Sequence, residues 1–242
     1  MTNRTTEAGK RSEMTKDGTP ALKRQGYTGP RPDVLALLPE HFASVLDVGC
    51  GAGALGASIK HRWKNCRVVG MENDPRLFEM AEKQLDKALK VDLNESDPFH
   101  GLGPEERFDV IVFADVLEHL MVPHRLLASA RSHLAEGGCI IISLPNVRHY
   151  STFVSLGFLG SWPQRDRGIH DRTHLHFYAK KNMLELFSAC GLIPVKEKRN
   201  LRLVERWSWT NPLGKALDFW PFRGFLTFQY LYRVVPGEGD SS

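Results

Sequence analysis

Three acidic residues stand at the ends of short apolar runs, and their positions are typical of a ligand site. Asp47 lies in an apolar run directly before a glycine-rich loop, Glu72 ends the next such run, and Asp92 lies near the tip of the third. If these runs are neighbouring parallel strands, their carboxyl ends meet at the edge of the sheet where α/β proteins bind ligands. Carboxylates at that edge would suit a ligand that carries positive charge and hydroxyl groups.

The loop 49–53 carries three glycines at alternate positions between a predicted strand and a predicted helix. Because glycine has no Cβ, such a loop can turn sharply and let a ligand lie against bare backbone. Together with Gly56 the loop also matches the G-x-G-x-x-G pattern of dinucleotide sites, which is weak support when it stands alone. Asp47 would repel a pyrophosphate, so the sequence favours a ligand with an ammonium group, such as S-adenosylmethionine, over NAD. A strand-end acid that caps backbone amides is the structural alternative for Asp47.

Composition limits the class of protein. The chain of 242 residues suits one domain of ordinary size, and its four cysteines show no paired spacing, which is typical of reduced thiols in a cytoplasmic protein. We find no apolar run long enough to span a bilayer. The net charge is +4, and residues 1–26 alone carry a surplus of three positive charges, so we predict a disordered basic tail there. The near-neutral remainder argues against a nucleic-acid partner.

Apolar runs and helical patterns alternate along the chain, which predicts an α/β protein. We predict strands over 44–48, 67–71, 88–93, 108–114, 139–144, 192–198 and 226–235. We predict the main helices over 54–62, 76–85, 123–134 and 181–190. Gly137 and Gly138 are predicted to end the helix 123–134, and a short helix within 30–39 is predicted to lie across the mouth of the ligand site.

Five motifs, in this order and spacing, resemble those of the class I S-adenosylmethionine-dependent methyltransferases. They are VLDVGCGAG (45–53), VVGMEND (68–74), VDL (91–93), FDVIVFADVLEHL (108–120) and LAEGGCIIISLPN (134–146). The later run SLPNVRHY…GIHDRTHLHFYAKKNMLELFSACGL is similar to a branch found with bacterial glycan-biosynthesis genes and related to quinone O-methyltransferases.

The resemblance covers residues 27–235 and implies one domain followed by a flexible C-terminus, 236–242. It implies a Rossmann-like, seven-stranded, mostly parallel sheet with an antiparallel last strand and helices on both faces. Two segments exceed the core of this fold, residues 147–180 and 199–225, and they are predicted to recognise the substrate. The aromatic residues within 207–232 fit core packing better than a binding surface.

S-adenosylmethionine is the cofactor that the resemblance implies. Asp47 and the glycine loop would hold its methionine portion, Glu72 would accept hydrogen bonds from the ribose hydroxyls, and Asp92 would meet the adenine amino group. Tyr27 is predicted to cover the cofactor, although a packing role is equally open. The predicted cofactor-binding residues are Tyr27, Asp47, Gly49, Cys50, Gly51, Gly53, Glu72, Asn73, Asp92, Leu93, Ala114 and Asp115.

Histidines in the segment 147–180 are the candidate catalytic residues. Methyl transfer from a sulfonium is an in-line displacement in which the protein mainly aligns donor and acceptor. A hydroxyl acceptor must also lose its proton, and histidine titrates in the right range for this. His174 is the first candidate for the base, followed by His149 and His170. The alternative is that these histidines cap the segment or bind its carbonyls.

A metal site is the other possibility near these residues. Asp115, Glu118 and His119 would lie on one face of a helix. Their spacing resembles magnesium-binding segments of some quinone and small-RNA 2′-O-methyltransferases, with His174 as a fourth ligand. The same stretch shapes the cofactor pocket in relatives that use no metal, and we therefore predict no metal.

The predicted function is O-methylation of a sugar or glycan precursor, or of another small hydroxylated acceptor. Alternative acceptors are a quinone-type phenol, a carboxylate and an RNA 2′-hydroxyl. A non-catalytic subunit that only binds the cofactor is a rival of a different kind, and the sequence leaves the oligomeric state open.

Overall fold

The central sheet has seven strands in the order β3-β2-β1-β4-β5-β7-β6. The computed structural model describes residues 29–202 and 222–237. The strands are β1 Ser44–Val48, β2 Arg67–Glu72, β3 Lys87–Lys90, β4 Phe108–Ala114, β5 Leu134–Pro145, β6 Leu192–Leu201 and β7 Thr227–Pro236. Strands β1 to β5 pair in parallel, whereas β7 runs antiparallel to both β5 and β6. The predicted topology, including the antiparallel last strand, is confirmed.

Helices cover both faces of the sheet. They are α1 Pro32–Leu35, α2 Ala54–Arg62, α3 Pro75–Glu82, α4 Pro123–Ala130, α5 Tyr150–Phe153, α6 Lys180–Ala189 and α7 Arg223–Leu226. One core cluster joins α4 and α6 to the sheet, and the other joins α1, α2 and α3 to its opposite face. Because successive strand side chains point to opposite faces, Ile140 and Ile142 enter the first cluster and Ile141 enters the second.

Strand β5 differs most from its predicted bounds. Helix α4 ends at Ala130, a 3-10 turn follows, and the strand already begins at Leu134. The prediction that Gly137 and Gly138 end the helix is therefore wrong, since both lie within β5. A Cβ on Gly138 would come 2.8 Å from the Ala135 carbonyl oxygen, so the glycine permits a close approach of the backbone in the strand.

Several predicted features fall outside the described residues: Tyr27, the basic tail 1–26, most of the segment 199–225 and the end of the chain after residue 237. Phe228, Tyr230 and Tyr232 of β7 are buried, in agreement with a packing role. Within the described ranges, no helix is both long and apolar enough to cross a membrane.

Candidate active site

The glycine loop is fixed to the end of β2 by backbone hydrogen bonds. The amides of Gly49 and Cys50 donate to the Met71 carbonyl oxygen at 2.8 and 3.0 Å. The Gly51 amide donates to Glu72 Oε2 at 2.9 Å. Gly49 has a φ of +71°, and a Cβ there would lie 2.7 Å from Val116 Cγ2. A larger residue at position 49 would therefore be strained and would also displace the turn that follows β4.

The structure brings the three predicted acids to the same edge of the sheet. Asp47 lies in β1, Glu72 ends β2, and Asp92 follows β3 by two residues, and these strands are neighbours. Glu72 Oε1 accepts hydrogen bonds from the Asn73 and Asp74 amides at 2.9 and 2.8 Å, so its carboxylate is held rigidly at the rim. Asp92 Oδ1 accepts from the Asn94 amide at 3.0 Å.

Asp47 is a buried carboxyl whose second oxygen has no hydrogen-bond partner. Its side chain is almost fully buried, and Oδ2 is unsatisfied. Burial raises the pKa of Asp47 to about 7, the Arg31 guanidinium lowers it, and Glu72 raises it further. A buried polar atom normally has a partner. A cationic ligand group at this point would supply that partner, so the site fits the ammonium group of S-adenosylmethionine.

Leu93 borders a small cavity beside the tip of β3. The cavity has a volume of about 40 Å³, and its wall includes Leu93, Met121 and Val122. Met121 and Val122 are 62 and 43% exposed, so two apolar side chains are open to solvent beside Leu93.

Asp115 does not lie on one helical face with Glu118 and His119, so the helical face assumed for the alternative metal site is wrong. Residues Leu117–His119 form a 3-10 turn, and Asp115 before it has a φ of +60°. Its carboxylate accepts hydrogen bonds from Arg31 Nη1 at 2.9 Å, from Ser143 Oγ at 2.8 Å and from Gln229 Nε2. Asp115 is therefore committed to protein partners, and its neighbour Ala114 is half-buried at the end of β4.

Glu118, His119 and His174 form a compact cluster instead. One ligand-type atom from each lies within 4.8 Å of the others, and His174 Nε2 is 3.9 Å from Glu118 Oε1. The amides of Leu175 and His176 donate to the Glu118 carbonyl oxygen at 2.8 and 3.1 Å, which holds the segment with His174 against the 3-10 turn.

Hydrogen bonds within the segment 169–174 define the ring states of the two histidines. His174 Nδ1 lies 3.1 Å from the Ile169 carbonyl oxygen. His119 Nδ1 lies 3.0 Å from Thr173 Oγ1, whose proton is donated to Asp171, and 3.3 Å from the Thr173 carbonyl oxygen. A carbonyl can only accept, so each Nδ1 carries its proton and each Nε2 is left as a lone-pair atom when the ring is neutral. This is the arrangement of metal-binding histidines.

Burial disfavours the charged forms of His174 and Glu118. Burial, followed by the neighbouring His119, lowers the pKa of His174 to about 4. Burial, reinforced by Asp115, raises the pKa of Glu118 well above its ordinary value, and Glu118 Oε2 has no hydrogen-bond partner. Three donor atoms with one unsatisfied carboxylate oxygen fit a divalent cation.

His149 and His170 are buried, and both are hydrogen-bonded to protein groups. His149 caps helix α5 through Ser151, and its Nε2 lies 2.8 Å from the Arg202 carbonyl oxygen. His170 Nε2 lies 3.2 Å from Thr152 Oγ1. These contacts fit the alternative in which the histidines cap the segment or bind carbonyl groups. A catalytic base must instead reach the proton of the acceptor. The base hypothesis is therefore carried forward for His174 alone.

Sequence reasoning missed the contribution of the N-terminal segment. Arg31 contacts Asp33, Asp115 and Ser143, which lie up to 112 residues from it in the chain. The only signal was a charged Arg-Pro-Asp triplet immediately before the apolar residues of α1.

Comparison with known families agrees with this architecture. A family model described as a methyltransferase domain matches residues 22–197. The chain therefore belongs to this family, and its fold and motifs make it a class I S-adenosylmethionine-dependent methyltransferase that resembles the quinone O-methyltransferases.

Two curated relatives differ in their acceptors. The ubiquinone biosynthesis O-methyltransferase of Cereibacter sphaeroides is 29% identical over 181 residues, which cover 74% of this chain and 71% of the relative. The trans-aconitate 2-methyltransferase of Deinococcus radiodurans is 29% identical over 123 residues, which cover 50% of this chain and 46% of the relative.

Solved structures agree at the level of the fold. An S-adenosylmethionine-dependent methyltransferase from Archaeoglobus fulgidus superposes with a TM-score of 0.56 at 18% identity, covering 79% of this chain and 85% of that one. An S-adenosylmethionine-dependent methyltransferase from Clostridium acetobutylicum gives a TM-score of 0.52 at 13% identity, and the match covers 81% of this chain and 85% of that one.

Proposed function

We propose that the protein transfers the methyl group of S-adenosylmethionine to a hydroxyl oxygen of a small acceptor. The Glu118–His119–His174 cluster is the observation that carries this proposal. It lies in the turn after β4 and in the segment that follows β5, two of the strands whose carboxyl ends form the cofactor edge. An acceptor held at this cluster would be next to a methyl group presented above the end of β4.

The cofactor would be held by the acids and the loop. Asp47 would bind the ammonium group, and the loop residues Gly49, Cys50, Gly51 and Gly53 would lie along the methionine portion. Glu72, beside the exposed Asn73, would accept hydrogen bonds from the ribose hydroxyls. Asp92 would bind the adenine amino group while Leu93 packs against the ring.

His174 is the proposed base if the reaction proceeds without a metal. Its neutral Nε2 could accept the hydroxyl proton, but a pKa of about 4 makes it a weak base at pH 7. The geometry therefore favours a second candidate, in which Glu118, His119 and His174 hold a divalent cation. Such a cation would lower the pKa of a bound hydroxyl. The three side chains would fix its position, and the buried, unsatisfied Glu118 Oε2 would gain a partner.

A sugar hydroxyl of a glycan precursor remains our first proposed acceptor, and a quinone-type phenol is the closest alternative. The glycan acceptor rests on the resemblance of the later motif run. The phenol is supported by the relative from Cereibacter sphaeroides and by the cluster, since a cation suits a phenol with two adjacent hydroxyls. A carboxylate acceptor is already ionised at neutral pH, so it would need no base.

A labelled-methyl transfer assay with the full chain tests these proposals. The panel contains nucleotide-activated sugars, a catechol and a tricarboxylic acid, each assayed with and without a chelator. We expect transfer to a hydroxylated compound and a large loss of turnover in Glu118→Gln and His174→Ala, with S-adenosylmethionine affinity unchanged. His100→Ala is the control, because that ring is exposed and contacts the Asp97 carbonyl oxygen.

The two candidate roles of the cluster give different results in this assay. Loss of turnover on chelation, restored by Mg²⁺ or another divalent cation, supports the cation. Full activity under chelation with loss in His174→Ala supports the base. Wild-type turnover in both cluster variants would refute any role for the cluster.

A further inference from the structure

Five side chains close a ring of hydrogen bonds beside the cofactor edge, and we call it the Arg31 ring. Arg31 Nε and Nη2 donate to the two oxygens of Asp33 at 3.0 and 3.1 Å, and Nη1 donates to Asp115 at 2.9 Å. Gln229 Nε2 donates to Asp115, and Asn200 Nδ2 donates to Gln229 Oε1 at 3.1 Å and to Asp33 Oδ2 at 2.8 Å. The ring thus joins the start of α1 to β6, β7 and the end of β4.

The ring is largely buried and carries charge. Arg31 is 6% exposed and lies between two carboxylates. Burial opposes ionisation of Asp33, yet its hydrogen bonds and charge interaction with Arg31 hold the pKa of Asp33 below its ordinary value. Separation of Arg31 from Asp33 or Asp115 would leave a buried charge without its partner, which is unfavourable. The guanidinium therefore holds both carboxylates in place.

Asp115 transmits this constraint to the glycine loop. It has a φ of +60°, a conformation that non-glycine residues rarely adopt and that persists only when surrounding contacts impose it. The next residue, Val116, is buried against Gly49, because a Cβ at position 49 would lie 2.7 Å from Val116 Cγ2. A change in the Asp115 turn would therefore move Val116 against the loop.

We propose that Arg31 is a positioning residue for the amino-acid portion of the cofactor, because it holds the Asp115 turn on which the glycine loop packs. This inference rests on the proposed binding of S-adenosylmethionine. Arg31 also acts on Asp47 directly, since its positive charge favours the ionised form of that buried carboxyl. Glu72 and Asp92, which would hold the nucleoside, lie at the end of β2 and two residues after β3, and these strands are further from the ring in the strand order.

The position of Arg31 therefore predicts a selective loss of affinity. Calorimetry with the full chain would compare three probes, S-adenosylmethionine, S-adenosylhomocysteine and 5′-methylthioadenosine, of which the last lacks the amino-acid portion. We expect Arg31→Met to bind the first two about tenfold more weakly, the scale of one lost charge-assisted hydrogen bond. Its affinity for 5′-methylthioadenosine should stay within about twofold of the wild type.

Two further variants complete the experiment. Arg107→Met is the matched control, since Arg107 is exposed and donates to the Pro104 carbonyl oxygen at 2.7 Å. Arg31→Lys keeps the charge but loses the forked donors, and it should show a smaller, equally selective loss. If Arg31→Met does not fold, the Arg31→Lys variant is used to test the proposal.

The outcomes separate this inference from the proposed function. Equal weakening of all three probes, or unchanged binding in a folded Arg31 variant, would overturn the positioning role. Failure of the wild-type protein to bind any of the probes would instead refute the proposed cofactor site.

Discussion

Asp47 shows how one residue can be unfavourable for the fold and useful for the site. Its carboxyl is buried with one unsatisfied oxygen, which raises its pKa to about 7. A group with a raised folded-state pKa contributes stability below its unfolded-state pKa and loses it as the pH rises through the folded value. The protein therefore loses stability as the pH rises from about 4 to about 7, and a bound cationic group would offset this loss.

Asp47→Asn should separate stability from binding. At pH 8 the amide avoids burial of a charge, so we expect a gain in the free energy of unfolding on the order of 2 kcal/mol. S-adenosylmethionine affinity should fall at least tenfold, because the ammonium group loses its counter-charge. Denaturant unfolding and calorimetry measure the two effects. A variant that binds as well as the wild type would show that Asp47 does not contact the cofactor.

The affinity for S-adenosylmethionine should also depend on pH. Below about pH 7 an increasing fraction of Asp47 is protonated and cannot pair with the ammonium group. We expect the affinity to fall as the pH is lowered from 7 to 5, approaching about tenfold per pH unit, while Asp47→Asn shows little of this dependence. Calorimetric titrations across this range measure it. The same slope in wild type and variant would assign the effect to another group.

The sequence predicts that Asp47, Glu72 and the glycine loop share one edge of the sheet, because a strand, a loop and a helix follow one another in the chain. The structure places all three at that edge. The Arg31–Asp115 pair was not found, because the two residues are 84 positions apart and meet only in the folded sheet. Asp115 was placed on a helical face since nothing in the sequence predicts a positive φ there.

At the scale of elements, close packing between strand, loop and helix sets the position of the glycine loop. A Cβ on Gly70 of β2 would lie 2.6 Å from Cys50 Sγ and 2.5 Å from Leu85 Cδ1. Strand β2 and the loop therefore approach more closely than any side chain at position 70 would permit. This contact explains why the second strand carries a glycine in an otherwise apolar run.

Gly70→Ala should weaken both the fold and the cofactor site. Overpacking of a well-packed contact typically costs about 1–3 kcal/mol. Because the methyl group would push against Cys50 in the loop, we also expect weaker S-adenosylmethionine binding. Gly157→Ala is the matched control, since nothing lies within 4 Å of a Cβ at that position. Chemical denaturation and calorimetry of both variants would measure the difference, and equal behaviour would contradict the packing argument.

Element boundaries followed the sequence where apolar runs end in charge or glycine, as in β1, α2 and β4, whose predicted and observed bounds coincide. The predicted start of β5 is wrong, because a glycine pair has the same sequence pattern whether it ends a helix or permits a close approach within a strand. Tertiary contacts determine which of these two structures forms, and the spacing of residues in the sequence does not reveal those contacts.

For the whole molecule, the strand order places β1 and β4 in the middle of the sheet. Asp47, Glu72 and Asp92 lie at β1, β2 and β3, whereas the Arg31 ring is attached to β4, β7 and β6. Cofactor binding should therefore stabilise the domain as a unit. At a concentration about 100 times its dissociation constant, a ligand adds about 2.7 kcal/mol. For a chain of this length we expect a rise in melting temperature of about 5–10 °C with S-adenosylmethionine and none with NAD. Stabilisation by NAD alone would contradict the site.

A crystal structure of the complex with S-adenosylhomocysteine tests the central claim most directly. We predict that Asp47 lies within hydrogen-bond distance of the ligand's amino group and that Glu72 contacts both ribose hydroxyls, with the adenine beside Asp92 and Leu93. A nucleoside bound elsewhere, or bound at this edge without contact to Asp47 and Glu72, would contradict the account.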